Sequence, residues 1–257
     1  MIDLHCHILP GVDDGPATVA EALALARVAR DDGITTIAAT PHVNSDYPAV
    51  GAAGISGAVE ALQGRLDAEG IDLRIVTGAE IAATRAVELD DDGLRALTLG
   101  GGPWLLLECP LTATLTPGFA GVARSLTRRG HHVLLAHPER SPLFLRSPAL
   151  LSELVGEGML AQVTAGALSG RFGRTVRDLA LTLVKRGTAQ VVASDGHGVL
   201  RPARIAGELS ETGISPALTA WLARDVPAAL LEGTELPSRP ETAPPSPRGR
   251  LLRIVGG

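Results

Sequence analysis

Seven short apolar runs punctuate the chain, at residues 2–8, 36–40, 73–78, 104–108, 132–136, 160–164 and 190–193. Gly, Pro and Asp bound them, and several are apolar at every position instead of alternating. Strands buried on both faces of a parallel sheet read this way. Between the runs, apolar residues recur at helical spacing. Val19, Ala22, Leu23, Ala26 and Ala29 form one stripe, stopped by Gly33. Val176, Leu179, Ala180, Leu183 and Val184 form another, with Arg177, Asp178, Lys185 and Arg186 opposite and Gly187 as the stop. Further helices are predicted over 58–68, 121–129, 201–211 and 217–224. Strands alternating with helices imply an α/β fold on a parallel sheet. Seven of them make a closed or nearly closed barrel the natural solution, and 257 residues suit one barrel domain of roughly 250.

The pattern changes near the end. From Thr234 to Pro247 there are five prolines and neither period. Residues 1–233 are therefore read as the folded domain and 234–257 as an extended, mobile tail. Its terminal Leu-Leu-Arg-Ile-Val is read as a frayed end, with docking on a partner as the alternative. Composition adds exclusions. A net charge of −5 argues against an extended nucleic-acid surface, while leaving room for a local basic pocket. No apolar run is long enough to span a bilayer, and no basic-then-apolar leader opens the chain, so no membrane insertion and a cytoplasmic location are expected. An oligomer is left open.

Polar chemistry collects at one end of the runs. In chain order the clusters are His5-x-His7, Asp13-Asp14, Thr40-Pro41-His42, Gly78-Ala79-Glu80, Glu108, His137-Pro138-Glu139-Arg140 and Ser194-Asp195-Gly196-His197. Each lies at or just past the C-terminal end of a predicted strand, the rim where α/β barrels carry active sites. A spacing of two places His5 and His7 on one face of a strand. Glu108 closes a run of Trp and Leu, where a charge is costly unless paired or bound to metal. Singly, each residue could be structural; nine nitrogen and oxygen candidates at one rim point to metal. Such a set suits Mn²⁺, Fe²⁺ or Zn²⁺ and could hold two or three ions. Of Asp13 and Asp14, one is expected to face the metals and the other to cap the following turn. Cys6 and Cys109 are read as packing residues, and His131 and His132, at the opposite rim, as solvated. Arg140 and Arg201, beside the metal motifs, fit a phosphomonoester.

These motifs resemble the PHP (polymerase and histidinol phosphatase) superfamily. Within it they are similar to the capsule-type, manganese-dependent protein-tyrosine phosphatases of the CpsB/YwqE group. The resemblance is carried by Met-Ile-Asp-Leu-His-Cys-His, Val-Asp-Asp-Gly-Pro, Ala-Thr-Pro-His, Gly-Ala-Glu-Ile and Leu-Leu-Glu. It continues through Ala-His-Pro-Glu-Arg, Gly-Arg-Phe-Gly-Arg-Thr-Val and Ala-Ser-Asp-Gly-His-Gly, in order, over residues 1–233. It implies a distorted (β/α)7 TIM-like barrel and a site of three ions, Mn²⁺ first. The implied ligands are His5, His7, Asp14, His42, Glu80, Glu108, His137, Asp195 and His197, with Glu80 bridging and Arg140 and Arg201 holding the phosphate. The implied substrate is phosphotyrosine on the tail of a bacterial tyrosine kinase that governs capsule and exopolysaccharide synthesis, hydrolysed by direct attack of a metal-activated hydroxide. The chain departs from the group at Leu9-Pro10-Gly11, around Tyr47, and at Gly198 in place of an Asn, which bears on the rim and on substrate choice.

Two other readings stand beside this one. A small-molecule phosphatase of the histidinol-phosphate type would use the same ions. A metal-stabilised regulatory module would bind a kinase without catalysis, although a full ligand set argues against it. A nuclease is disfavoured by the acidic balance.

Overall fold

The computed structural model describes residues 1–113 and 118–241. Nine strands run in the order β1 (Ile2–Cys6), β2 (Thr36–Ala39), β3 (His42–Val43), β4 (Arg74–Thr77), β5 (Glu80–Ala82), β6 (Trp104–Glu108), β7 (His132–Ala136), β8 (Leu160–Thr164) and β9 (Val191–Ala193). All pairings are parallel, in a three-stranded sheet β1-β2-β4 and a six-stranded sheet β3-β5-β6-β7-β8-β9. Two of the predicted runs are each broken in the middle. Thr40-Pro41 separates β2 from β3, and Gly78-Ala79 separates β4 from β5. Counting each broken pair once leaves the seven staves expected from the sequence. Backbone hydrogen bonds from Asp195 N to His5 O (2.8 Å) and from His7 N to Gly196 O (2.8 Å) join the last stave to the first and close the barrel. The α/β, TIM-like architecture is as read from the chain.

Longer helices among the described residues pack outside the staves, including α1 (Val19–Asp31), α2 (Ala52–Ala68), α3 (Phe119–Arg128), α4 (Pro148–Gly156) and α5 (Arg174–Arg186). Thr18 starts α1 with a capping box to Glu21, and the helix buries Ala22, Leu23, Leu25, Ala26 and Ala29. Gly187, in the left-handed region, ends α5 as predicted. The predicted helix over 201–211 shrinks to Ala206–Leu209. The carboxylate of Asp32 takes the N–H groups of Ile205, Ala206 and Gly207, which fixes the start there, and Pro202 keeps the preceding segment extended. The predicted 217–224 helix instead continues from Pro216 to Glu232 through a π turn at Trp221–Asp225, beside Pro227.

The core is aliphatic, dominated by Leu, Ile, Val and Ala from both faces of the staves. Asp3 is buried within it, where it accepts hydrogen bonds from Ser194 N, Ser194 Oγ and His5 N and so pins β9 to β1. Cys6 and Cys109 are buried free thiols. One expectation fails at the opposite rim. His131 is buried, not solvated, because its Nε2 finds the Asp91 carboxylate at 2.9 Å, whereas its neighbour His132 is exposed and lies on Trp104. Trp221 Nε1 donates to Pro237 O and Arg239 Nη2 to Val184 O, so the first residues after 233 lie against the barrel. Residues 242–257, including the terminal apolar stretch, are outside the described residues. No helix among the described residues is long and apolar enough to cross a membrane.

Candidate metal centre and active site

The staves deliver their polar ends to one point. β1 supplies His5, and His7 follows its end; their Nε2 atoms lie 3.2 Å apart. β3 and β5 supply His42 and Glu80, partners in register, with His42 Nδ1 3.1 Å from Glu80 Oε2. The break in each of these staves is what allows His42 and Glu80 to begin a second short strand at the rim. His137 follows β7 and Asp195 lies just past β9; both take positive φ (35° and 52°), an uncommon state for residues other than glycine. Such backbone strain clusters at functional sites. His137 Nε2 meets Glu80 Oε1 at 2.7 Å, and Asp195 Oδ1 lies 3.4 Å from His5 Nε2.

Glu80 is the hub. Its two oxygens contact His5, His7, His42 and His137 within 3.2 Å. Around it, donor atoms form three overlapping groups, each with its atoms within 4.8 Å of one another: His7, Asp14, His42 and His197; His5, His7 and Glu80; and His42, Glu80 and Glu108. His137 and Asp195, the other two of the nine sequence candidates, lie outside these groups but touch Glu80 and His5. All nine therefore meet in one place. Several face one another without hydrogen-bond geometry: buried His42 Nδ1 and His197 Nε2 have no hydrogen-bond partner among the described residues. Lone pairs that oppose rather than complement one another, on imidazole and carboxylate only, fit shared divalent cations.

The residues around these donors fix their orientation. Asp13 Oδ2 binds His7 Nδ1 at 2.6 Å and accepts from His42 N, while Oδ1 accepts from Gly15 N. Asp14 instead reaches inward, 3.4 Å from His197 Nε2. The two acids thus differ in place: Asp13 holds the turn and His7, while Asp14 lies among the histidines. A side chain at Gly15 would strike His7 O at 2.3 Å, so the loop can hug the histidine only with glycine there. Gln162 Oε1, on β8, accepts from His137 N and sits 3.0 Å from His5 Nδ1. The sequence reading missed Gln162, whose role shows only once the barrel brings it against His5 and His137.

Charge at the site follows from this crowding. Burial opposes a charged His7, yet the Asp13 and Glu80 carboxylates outweigh it and raise its pKa to about 10. Burial, with Glu80 nearby, pushes the Glu108 carboxyl up to about 8. The His197 imidazole holds Asp14 well below the usual carboxylate range. Burial lowers His42, His137 and His197, and this exceeds the pull of their acid neighbours.

Arg140 and Arg201 both rest on Asp195 Oδ2, Arg201 at 2.7 Å. The Arg140 guanidinium lies over the Phe172 ring, 4.4 Å from its centroid. The cavity at the rim measures about 220 Å³ and is walled by these arginines, Glu80, Glu108, Tyr47 and Leu111. Tyr47, the chain's single tyrosine, lies parallel to His42 at 6.0 Å.

A family model described as capsular polysaccharide synthesis, CpsB/CapC, matches residues 1–207. Over 200 residues the chain is 38% identical to the tyrosine-protein phosphatase YwqE of Bacillus subtilis, covering 77% of this chain and 78% of that protein. It is 28% identical over 206 residues to the tyrosine-protein phosphatase CpsB of Streptococcus pneumoniae, covering 77% and 84%. A crystal structure from work on YwqE and CpsB, described as metal-dependent tyrosine phosphatases, superposes with a TM-score of 0.81 at 33% identity, covering 95% of this chain and 100% of that one. A D-hydantoinase, at a TM-score of 0.56 and 12% identity over 89% of this chain and 69% of that one, shares the fold alone.

Proposed function

The chain belongs to the CpsB/CapC family of capsular polysaccharide synthesis, and from that premise we propose that it is a metal-dependent protein-tyrosine phosphatase. The observation that carries this reading is the convergence of nine nitrogen and oxygen donors at one rim, six of them lining a single cavity with two arginines.

We assign the ions to His5, His7, Asp14, His42, Glu80, Glu108, His137, Asp195 and His197, three in number to match the three overlapping donor groups, with Mn²⁺ as the expected metal and Fe²⁺ or Zn²⁺ as alternatives. Bound there, divalent cations supply a water of lowered pKa and neutralise charge on a phosphoryl group. The protein's own residues do the rest. Glu80, held by four imidazoles, sets the spacing of the donors. Asp13 and Gln162 fix His7 and His5 by their outer nitrogens, so that both Nε2 atoms face inward. Arg140 and Arg201 present N–H groups at the cavity wall; a phosphate competes with Asp195 for them, and Phe172 keeps the Arg140 plane in place. The substrate is assigned as phosphotyrosine on a bacterial tyrosine kinase of capsule synthesis, in the cytoplasm, and residues 1–233 as the catalytic domain.

The test is phosphate release from a phosphotyrosyl peptide by metal-stripped protein, with Mn²⁺, Zn²⁺ or Mg²⁺ restored and histidinol phosphate run in parallel. Metal-restored turnover favouring the peptide is expected. Arg140→Ala should lower kcat/KM by about 10²–10³, the scale for removing one preorganised donor to transition-state charge. Preference for histidinol phosphate would move the enzyme to small-molecule chemistry.

A further inference from the structure

A second cleft opens beside the site. It measures about 590 Å³ and runs between α1 and residues 198–204. Its walls are apolar for most of their length, from Pro16, Leu25 and Val28 on one side to Val199 and Pro202 on the other. His197 lines it and belongs to the donor group that includes Asp14, a wall residue of the catalytic cavity, so the cleft borders the active site. Arg171 and Arg204 also line it.

Three features single this cleft out. First, Val199 and Leu200 are 94% and 90% exposed. They sit on a turn that is pinned at its base by His197 N and Gly198 N, both donating to Arg201 O. Two adjacent apolar side chains held in water next to a catalytic cavity are typical of a contact surface. Second, the cleft's cations, Arg171 and Arg204, outnumber its one acid. The Arg204 side chain is exposed and has no carboxylate partner among the described residues, and Arg171 spends only its Nε on Glu208. The acid that lines the cleft, Glu21, is occupied by Ala17 N and Thr18 N at the start of α1. Third, a free positive edge stands out in a chain of net charge −5.

We propose that this cleft is the docking groove for the polypeptide that flanks the phosphotyrosine. It selects a flank carrying an apolar side chain, seated against Leu25, Val28 and Val199, together with a carboxylate paired with Arg204. The inference rests on the phosphatase reading above and adds the sequence preference of the substrate. The free Arg204 edge and the adjacency to the catalytic cavity through His197 identify the occupant.

The experiment uses the full chain loaded with Mn²⁺ and phosphotyrosyl peptides that differ in the flank alone: leucine with two glutamates, leucine with two lysines, and serine with two glutamates, placed in turn before and after the phosphotyrosine. The readout is the ratio of kcat/KM between peptides within one preparation, which cancels any loss of folded protein. On one side of the phosphotyrosine, the wild type should favour the acidic over the basic flank by about tenfold, through KM, with the ratio shrinking as salt rises. Arg204→Glu should bring that ratio to one or below, and Val199→Asp should abolish the advantage of leucine over serine. Turnover with no flank preference on either side, or a ratio unchanged in Arg204→Glu, would overturn the groove and leave the phosphatase standing. No turnover of any peptide would overturn both.

Discussion

Asp13 and Gln162 do related work from opposite sides of the centre, each holding the outer nitrogen of an imidazole. Removing such an orienting contact costs metal affinity more than fold. Asp13→Ala should therefore weaken metal binding by about 10- to 100-fold in a chelator-competition titration, with activity recovering at high metal. A loss that excess metal does not repair would assign Asp13 a different role. Asp3 tests the neighbouring barrel floor. Burial raises its pKa to about 6 from 3.8, against the pull of its hydrogen bonds to Ser194 and His5. The folded state thus binds its proton more tightly than the unfolded chain, so its contribution to stability is full below pH 4 and fades as pH rises through 6. In chelator, the stability of wild type relative to Asp3→Asn should fall by about 2 kcal/mol between pH 4 and pH 7, at 1.36 kcal/mol per pKa unit; a difference independent of pH would show that Asp3 does not titrate there. The histidines were legible because a strand's period of two places His5 and His7 together without any tertiary knowledge. Gln162 and Phe172 were not, because an amide in a strand and a phenyl in a loop gain meaning only from what lies across the barrel.

At the scale of elements, the segment carrying Arg201 and Arg204 is held from a distance. Asp32, just past the end of α1, accepts from the N–H groups of Ile205, Ala206 and Gly207. A carboxylate at a helix start is worth about 0.5–2 kcal/mol. Asp32→Ala should lower Tm by about 2–6 °C on the scale for a domain of this size and raise KM for phosphotyrosyl peptide with little change in kcat. A Tm shift with KM untouched would show that the segment keeps its place without the cap. The same element explains why sequence patterning overstated a helix over 201–211: the apolar spacing of Ala203, Ile205 and Leu209 is real, but a carboxylate 173 residues away in the chain decides where the helix starts. The broken staves escaped the reading for a similar reason. Continuous hydrophobicity marks a buried strand, but the break at Thr40-Pro41 is held by a contact between strands, the Cys6 N donation to Thr40 Oγ1 at 3.0 Å.

At the scale of the molecule, the barrel is closed by backbone hydrogen bonds and an aliphatic core, so the fold does not depend on metal for its closure. Chelation should abolish turnover while leaving the far-ultraviolet circular dichroism intact, and metal at 100 times its Kd should add about 2.7 kcal/mol to stability. The uptake of metal must also move protons. The Asp13 and Glu80 carboxylates keep His7 protonated until about pH 10, and burial beside Glu80 keeps Glu108 protonated until about pH 8. Ligation requires both to be free, so loading the site below pH 8 expels at least two protons, and one between pH 8 and 10. Total affinity should then climb about a hundredfold per pH unit from pH 6 to 8 and more shallowly above, by mass action on the released protons. Calorimetric titrations in buffers of differing ionisation enthalpy count the protons directly. Uptake that releases none at pH 7 would remove His7 and Glu108 from the ligand set, whereas a count of two or more would tie the whole-molecule binding curve to these two side chains.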